Sequence, residues 1–355
     1  MPENLSHCAV VIDPSYGAFN ENKLFDPLSQ WNRDDHLGPF HRLHSYLTKH
    51  RISVNTADFM LQGKIVAESN HYYSFGILRC YSELKKSGNV QLKSFVIMEP
   101  PLIAPKLYNA LPNLTENFEN VYLHNTVGDG YSLRGVDQSK LRKLYWPQPY
   151  LGVVEKYWSN ADRLNRVVVI NGNHKPKGRI AELYSKRIEA MSKLAELNAV
   201  DLYGRGWNRW WSRSSLWLPY WLNRKKLMSI YQGACASKYE TLSRYRFCLC
   251  FENMQMTGYV TEKLFDSLYA GTIPLYLGAP DITSLIPAEA YIDCRKFTSW
   301  EEMWREISCM PDSQVEAIRE AGRAFLNSKE FLQYYNSLQD IVGLGAGLNA
   351  IETQL

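Results

Sequence analysis

The chain has 355 residues, 45% of them hydrophobic and 21% charged, which suits two soluble cores of about 150 residues each. A net charge of +4 is far from the dense basic stripe of a nucleic-acid binder. Seven cysteines, with no CxxC pair and no Cys/His spacing, offer neither a disulfide framework nor a zinc motif and predict reduced thiols.

The opening MPENLSHCAVVIDPS has no basic start and no apolar segment of signal-peptide length. No run approaches the ~18 apolar residues of a membrane span. A cytoplasmic protein is therefore expected, with the sequons at Asn4 and Asn113 unused. Ten Trp and 23 Tyr suit carbohydrate or interface surfaces as well as a large core.

In chain order, His7 to Ile12 reads as a buried strand and is followed by a polar stretch rich in Asn and Asp. Pro39 to His50 has helical spacing through Phe40, Leu43 and Leu47. Ile52 to Val54 is a short strand, and Tyr73 to Lys86 reads as a helix with Phe75, Leu78 and Leu84 near one face. Gln91 to Met98 and Asn120 to Leu123 are strands. The passage LYWPQPYLGVVEKYWSN breaks this alternation and reads as the crossing between domains. A second alternation follows: strand 166–170, helix Arg179 to Leu197, strand Val200 to Tyr203, strand Arg246 to Phe251, a helix over Thr261 to Ala270 and strand Thr272 to Leu277. From Glu301 to about Gly343 the pattern is mostly helical. This is an α/β fold of two Rossmann-like domains facing each other across a cleft, 1–150 and 151–325, with a helical C-terminal tail over 326–355.

The string CFENMQMTGYVTEKLFDSLYAG (250–271) carries the chemistry. A buried strand ends in Glu252 and Asn253, and a helix begins near Thr261 with Gly271 as its C-cap. In open parallel sheets the ligand sits beyond the carboxyl ends of the strands, and unpaired N–H groups at a helix start make an anion site. Lys263 adds a full positive charge there, against the dipole rule, so its placement wants an anion; a diphosphate would serve. Glu262 can accept hydrogen bonds from ribose or sugar hydroxyls. The plain alternative is a capped helix with an ordinary first-turn Glu262 and a solvated Lys263.

The longer run YRFCLCFEN…GYVTEKLFDSLYAGTIPLYLG resembles the signature of the α1,3/4-fucosyltransferases, which move L-fucose from GDP-fucose onto N-acetylglucosamine or glucose units of glycans. The likeness is dense from about Lys238 to Phe297 and patchy in the N-terminal half. It implies a GT-B-type fold, of the soluble bacterial type, and an inverting transfer. It places the donor-site Tyr, Glu and Lys of a Y-x-T-E-K string on Tyr259, Glu262 and Lys263. It also places a phosphate-binding Arg on Arg187, which opens RIEAMSKL ahead of DLYG, although a surface arginine on a basic helix is the plain alternative. Asn253 is expected near the phosphates or sugar, and Glu252 in partly structural support.

Inverting transfer requires that the leaving diphosphate meet cations and N–H groups and that the acceptor hydroxyl lose its proton to a carboxylate. Glu99, directly after the apolar run SFVIM and ahead of Pro100, stands where the family's proposed base stands. Asp13, Asp34 and Asp35 are its rivals. The resemblance implies no Asp-x-Asp metal motif and no tightly bound cofactor, with a divalent cation as a stimulant only. Acceptors are oligosaccharides or lipid-linked glycans, as in protein glycosylation or lipopolysaccharide biosynthesis, joined through O3 or O4. Another GDP-sugar as donor, or a catalytically silent nucleotide-sugar-binding protein, remain the alternatives.

The segment 207–228, WNRWWSRSSLWLPYWLNRKKLM, interrupts the family pattern and holds five of the ten Trp beside Arg and Lys. Such a mixture suits peripheral contact with the inner face of a membrane, or Trp side chains packed over the second domain. Pro219 argues against one continuous helix through it.

Overall fold

The computed structural model describes residues 8–176, 178, 180–209 and 217–344. The chain divides into two units. The first runs to Pro149 and resumes at Leu332; the second is Tyr150–Phe331.

The first unit is built on strands β1 (Cys8–Asp13), β2 (Ser53–Thr56), β3 (Ser69–Ser74), β4 (Val90–Val96), β5 (Asn120–Leu123) and β6 (Leu141–Lys143). All pairings are parallel, in the order β2-β1-β3-β4-β5-β6. Because both faces are covered, β1 is apolar at successive positions rather than at alternate ones. Ala9 and Val11 join Tyr72, Phe95 and Leu111 on one face. Val10 and Ile12 join Leu43, Leu47, Leu338 and Ile341 on the other. Helix α1 (Gly38–Lys49) carries Pro39 in its first turn, where the missing N–H costs nothing, and buries Leu43 and Leu47.

The helix expected over Tyr73 to Lys86 is not present. That stretch begins in β3, passes through a turn with Gly76 at φ 82°, and ends in a short helix α2 (Tyr81–Lys86). The aromatic-rich SNHYYS of β3 suits a pleated surface, and its position between β1 and β4 buries Tyr72 and Tyr73 toward opposite faces. The local 3.6-residue pattern lost to that tertiary burial.

The second unit holds β7 (Leu164–Ile170), β8 (Val200–Tyr203), β9 (Tyr231–Gly233), β10 (Tyr245–Phe251), β11 (Ile273–Leu277) and β12 (Ile292–Asp293). Again every pairing is parallel, in the order β12-β11-β10-β7-β8-β9. Its longer helices are α3 (Tyr184–Glu196), α4 (Leu218–Ser229), α5 (Glu262–Ala270), α6 (Trp300–Ser308) and α7 (Asp312–Leu326). Side chains of α3, α4 and α6 share a core with Val167, Val169, Phe247, Leu249 and Phe251. Helix α5 packs instead against α7.

The expected start of the third helix, Arg179, lies outside the described residues, and α3 begins at Tyr184. The segment 210–216, with Trp210, Trp211 and Arg213, lies outside them too. As expected, no single helix runs through 207–228: α4 starts at Leu218, with Pro219 in its first turn, where proline is well tolerated. No described helix is long and apolar enough to cross a membrane.

Candidate active site

The turn between β10 and α5 is held from both sides. Gln255 N–H donates to the Ala181 carbonyl (2.7 Å) and Leu183 N–H to the Asn253 carbonyl (3.1 Å), an antiparallel bridge through Glu182 and Met254. Gly258 N–H donates to Asp281 Oδ1 (2.8 Å). A loop fixed at both ends can present its side chains without first being ordered by a ligand.

Glu252 lies at the centre, fully buried. Its Oε1 accepts the Thr261 N–H and its Oε2 the Thr261 hydroxyl, both at 2.8 Å. A carboxylate thus meets the N-terminus of α5, where the helix dipole favours negative charge. Burial still pushes this carboxyl above its ordinary range, against the pull of Lys263.

Lys263 Nζ donates to Thr261 Oγ1 (2.9 Å) and lies 3.3 Å from both Glu252 Oε2 and Glu262 Oε1. The anion that offsets this ill-placed cation is therefore supplied by the protein itself. Burial opposes ionisation of Glu262, but Lys263 and then Lys238 prevail and hold its carboxyl down at about 2. About a third of the Glu262 side chain stays exposed, so it is charged and reachable. Lys238 in turn is paired with Asp266 at 2.8 Å.

Asn253 Nδ2 donates to Tyr259 Oη (3.3 Å), and the Tyr259 carbonyl accepts from Tyr276 Oη (3.3 Å). Tyr259 is buried. Arg187, in the first turn of α3, is buried as well; its Nη2 donates to the carbonyls of Phe251 and Glu252, the latter at 3.1 Å. Its Nε is buried without a hydrogen-bond partner, and burial lowers its pKa. An unsatisfied buried donor on a cation is costly, and an anion oxygen would satisfy it.

Of the expected site residues, Arg187, Glu252, Asn253, Tyr259, Glu262 and Lys263 are gathered around this one turn. Glu99 belongs to the first unit. It follows β4 by three residues, because the strand stops at Val96, although Ile97 N–H still reaches the Tyr122 carbonyl at 2.8 Å. The Glu99 carbonyl accepts from Tyr108 Oη (3.2 Å), and the neighbouring Met98 carbonyl bonds His124 Nε2 (2.8 Å).

The other carboxylates considered for this role have charged partners. Asp13 is buried and gripped by Arg79 through Nε (2.5 Å) and Nη2 (3.0 Å), with Tyr72 Oη as a third donor. Asp35 faces His41 at 3.7 Å and accepts from Asn32 Nδ2 at 3.2 Å. The His41 hydrogen bond leads in lowering its pKa, with burial opposing. Asp34 lies 3.4 Å from Arg33.

Sequence reasoning missed three groups. Asp281 anchors the turn from four residues past β11, a position with no local signal. Thr261 links Glu252 to Lys263; its N-cap position was readable, its bond to Glu252 was not. His174, after β7, is close enough to Arg187 that the guanidinium adds to burial in lowering its pKa. The loop bearing His174 is drawn in by Gly204, at φ 140°, where a Cβ would stand 1.9 Å from the Asn171 carbonyl oxygen. A cavity of about 510 Å³ opens beside the bridge, between α3 and the start of α6, and is lined by Leu183, Lys186, Glu189, Gln255, Leu277 and Trp300 among others.

Residues 164–318 match the family model "Glycosyltransferase family 10 (fucosyltransferase) C-term". The chain is similar to the alpha-(1,3)-fucosyltransferase FucT of Helicobacter pylori, 41% identical over 66 residues, which are 19% of this chain and 14% of that protein. It is also similar to the alpha-(1,4)-fucosyltransferase of Arabidopsis thaliana, 38% identical over 74 residues, 21% of this chain and 18% of that one. The match thus spans less than a fifth of either relative's length. A solved α1,3-fucosyltransferase aligns with a TM-score of 0.50 at 14% identity, covering 96% of this chain and 92% of its own. A glycosyltransferase from Rickettsia africae aligns with a TM-score of 0.53 at 10% identity, over 95% and 98%. These structural likenesses carry the fold, and the two parallel sheets agree with the GT-B-type architecture expected.

Proposed function

We propose that the protein is an inverting fucosyltransferase, a reading supported by the match of residues 164–318 to the C-terminal model of glycosyltransferase family 10. It moves L-fucose from GDP-β-L-fucose to O3 or O4 of N-acetylglucosamine or glucose in a glycan acceptor. The observation that carries this reading is the Glu252–Thr261–Lys263 assembly at the start of α5.

The donor diphosphate lies against the N-terminus of α5. Lys263 turns from Glu252 and Glu262 to the phosphate oxygens, and the buried Nε of Arg187 finds its partner there. Meeting the leaving group's growing charge with fixed cations and N–H groups is the strongest form of stabilisation open to this reaction. Glu262, held ionised, accepts from fucose or ribose hydroxyls. Asn253 and Tyr259 border the same pocket, and Glu252 keeps the helix start in place. The adjoining cavity is wide enough for the nucleoside.

Glu99 takes the proton from the acceptor hydroxyl as that oxygen attacks the anomeric carbon and the C–O bond to GDP breaks. The engagement of Asp13 by Arg79 and Tyr72 supports Glu99 over its rival. The protein's own cations answer the diphosphate, so a divalent cation acts as a stimulant without a cage of its own. Segment 207–228 brings the enzyme to the inner face of a membrane, where lipid-linked glycans are assembled.

Incubation with GDP-fucose and a panel of lactose, N-acetyllactosamine and its type-1 isomer, with linkage read by NMR, tests the reading. An α-linked fucosyl product is expected. Turnover with GDP-mannose in preference to GDP-fucose would replace the sugar; GDP binding without any transfer would make the protein a silent nucleotide-sugar binder.

A further inference from the structure

Helix α4 is apolar on two sides, and only one of them faces the core. On the inner side Tyr220 and Leu227 are buried, and Tyr220 Oη donates to the Trp207 carbonyl (2.6 Å). These contacts fix how the helix is rolled. On the outer side Leu218, Trp221 and Leu222 are exposed by 66%, 38% and 75%. Their spacing is i, i+3, i+4, so they form one stripe, and exposed Lys225 extends it at i+7. A helix with apolar residues on both sides calls for a cover on both, and clustered exposed apolar side chains mark an interaction surface.

Charge indicates what the cover is. From Leu202 to Tyr239 the sequence contains seven Lys and Arg and no Asp or Glu. Lys226 is answered by Glu196 of α3 and Lys238 by Asp266 of α5, but the local balance stays positive. Trp and Leu beside Lys and Arg, on a helix lying flat, match the boundary between acyl chains and headgroups. Cations there gain from the negative potential of an anionic leaflet.

We propose that α4 lies along an anionic phospholipid bilayer, with Leu218, Trp221 and Leu222 at the acyl boundary and Lys225 at the headgroup phosphates. This rests on the reading of 207–228 as the membrane-contacting segment and narrows it to one helix face and one lipid charge. Three apolar side chains with a few cations give reversible docking rather than permanent insertion.

Co-sedimentation of the full chain with phosphatidylcholine vesicles, with and without phosphatidylglycerol, tests the proposal. Binding to the phosphatidylglycerol vesicles is expected. It should fall at least roughly tenfold on neutral vesicles and for the double variant Leu218→Ser/Leu222→Ser. Lys225→Glu, a fully surface change, should weaken binding and flatten its salt dependence. Absent binding of the wild type to either vesicle overturns the proposal, and so does a double variant that binds as the wild type does. A concentration-dependent dimer abolished by the same variant would make the cover a second copy and overturn it too. GDP calorimetry without vesicles reports on the donor site alone, so failure of the fucosyltransferase reading shows there and failure of the docking surface shows only in the vesicles.

Discussion

Asp13 closes β1 in the first unit, and Glu252 follows β10 in the second; both carboxylates are buried at the carboxyl end of a strand inside a parallel sheet. Asp13 meets the planar fork of Arg79 edge to edge, with Tyr72 as a further donor. Glu252 meets a helix start and a lysine that Glu262 shares. The first arrangement is closed, since a bidentate guanidinium pair leaves the carboxylate little to offer anything else. The second is open: a flexible ammonium 3.3 Å from two carboxylates can swing to an incoming anion. Burial alone does not mark a reactive carboxylate; what matters is whether its partner can be given up.

The contrast breaks most readily at the residue it leaves for chemistry in the first unit. Glu99→Gln should lower turnover by about 10²–10⁴-fold with GDP affinity retained in calorimetry; unchanged turnover removes Glu99 from the mechanism. Asp13→Ala should destabilise the first unit by about 1–3 kcal/mol, the cost of leaving the buried Tyr72 hydroxyl without its acceptor, read as a lower urea midpoint. A shift no larger than that of a surface substitution would mean that the fork is ornamental.

Lys263→Ala should weaken GDP binding on the order of tenfold or more, whereas Arg79→Ala should leave it as it is. Equal losses from the two would erase the distinction between open and closed pairs. The smallest effect is on acid stability. Glu262 is held near 2, below its ordinary 4.5, so its contribution is present above about 4.5 and is lost as pH falls toward 2. Glu262→Gln should therefore flatten the decline in stability between those values, and an unaltered acid limb would show that the lysines do not hold its charge.

Much of the second unit was legible because β7, β10 and β11 hold short unbroken apolar runs, and its turn chemistry is local. Gly271 ends α5 at φ 69° as a C-cap glycine should. The gathering of six expected residues around that turn was legible because five lie within twelve positions of one another. The first unit was harder. β3 hides its aromatic strand in a sequence with passable helical spacing, and only its place between β1 and β4 makes it a strand. The pairing of Asp13 with Arg79 spans 66 positions, and that of Gly258 with Asp281 spans 23; no window of sequence reveals such pairs. Arg187 was expected to reach a phosphate, and its grip on two main-chain carbonyls came from tertiary packing alone.

The chain's return to its first unit bears on how the protein is made. Ser94 Oγ donates to the Ile341 carbonyl (3.0 Å), Arg42 Nη2 reaches the Tyr335 carbonyl (2.8 Å), and Leu338, Ile341 and Val342 complete one apolar layer over β1 and β4. On the ribosome the amino-terminal sheet therefore emerges early but waits, one face only partly covered, until residues 338–342 have been translated. A message cut short near codon 331 would yield a polypeptide whose second unit keeps its own core, while the first lacks part of its apolar cover and remains a target for chaperones and proteases.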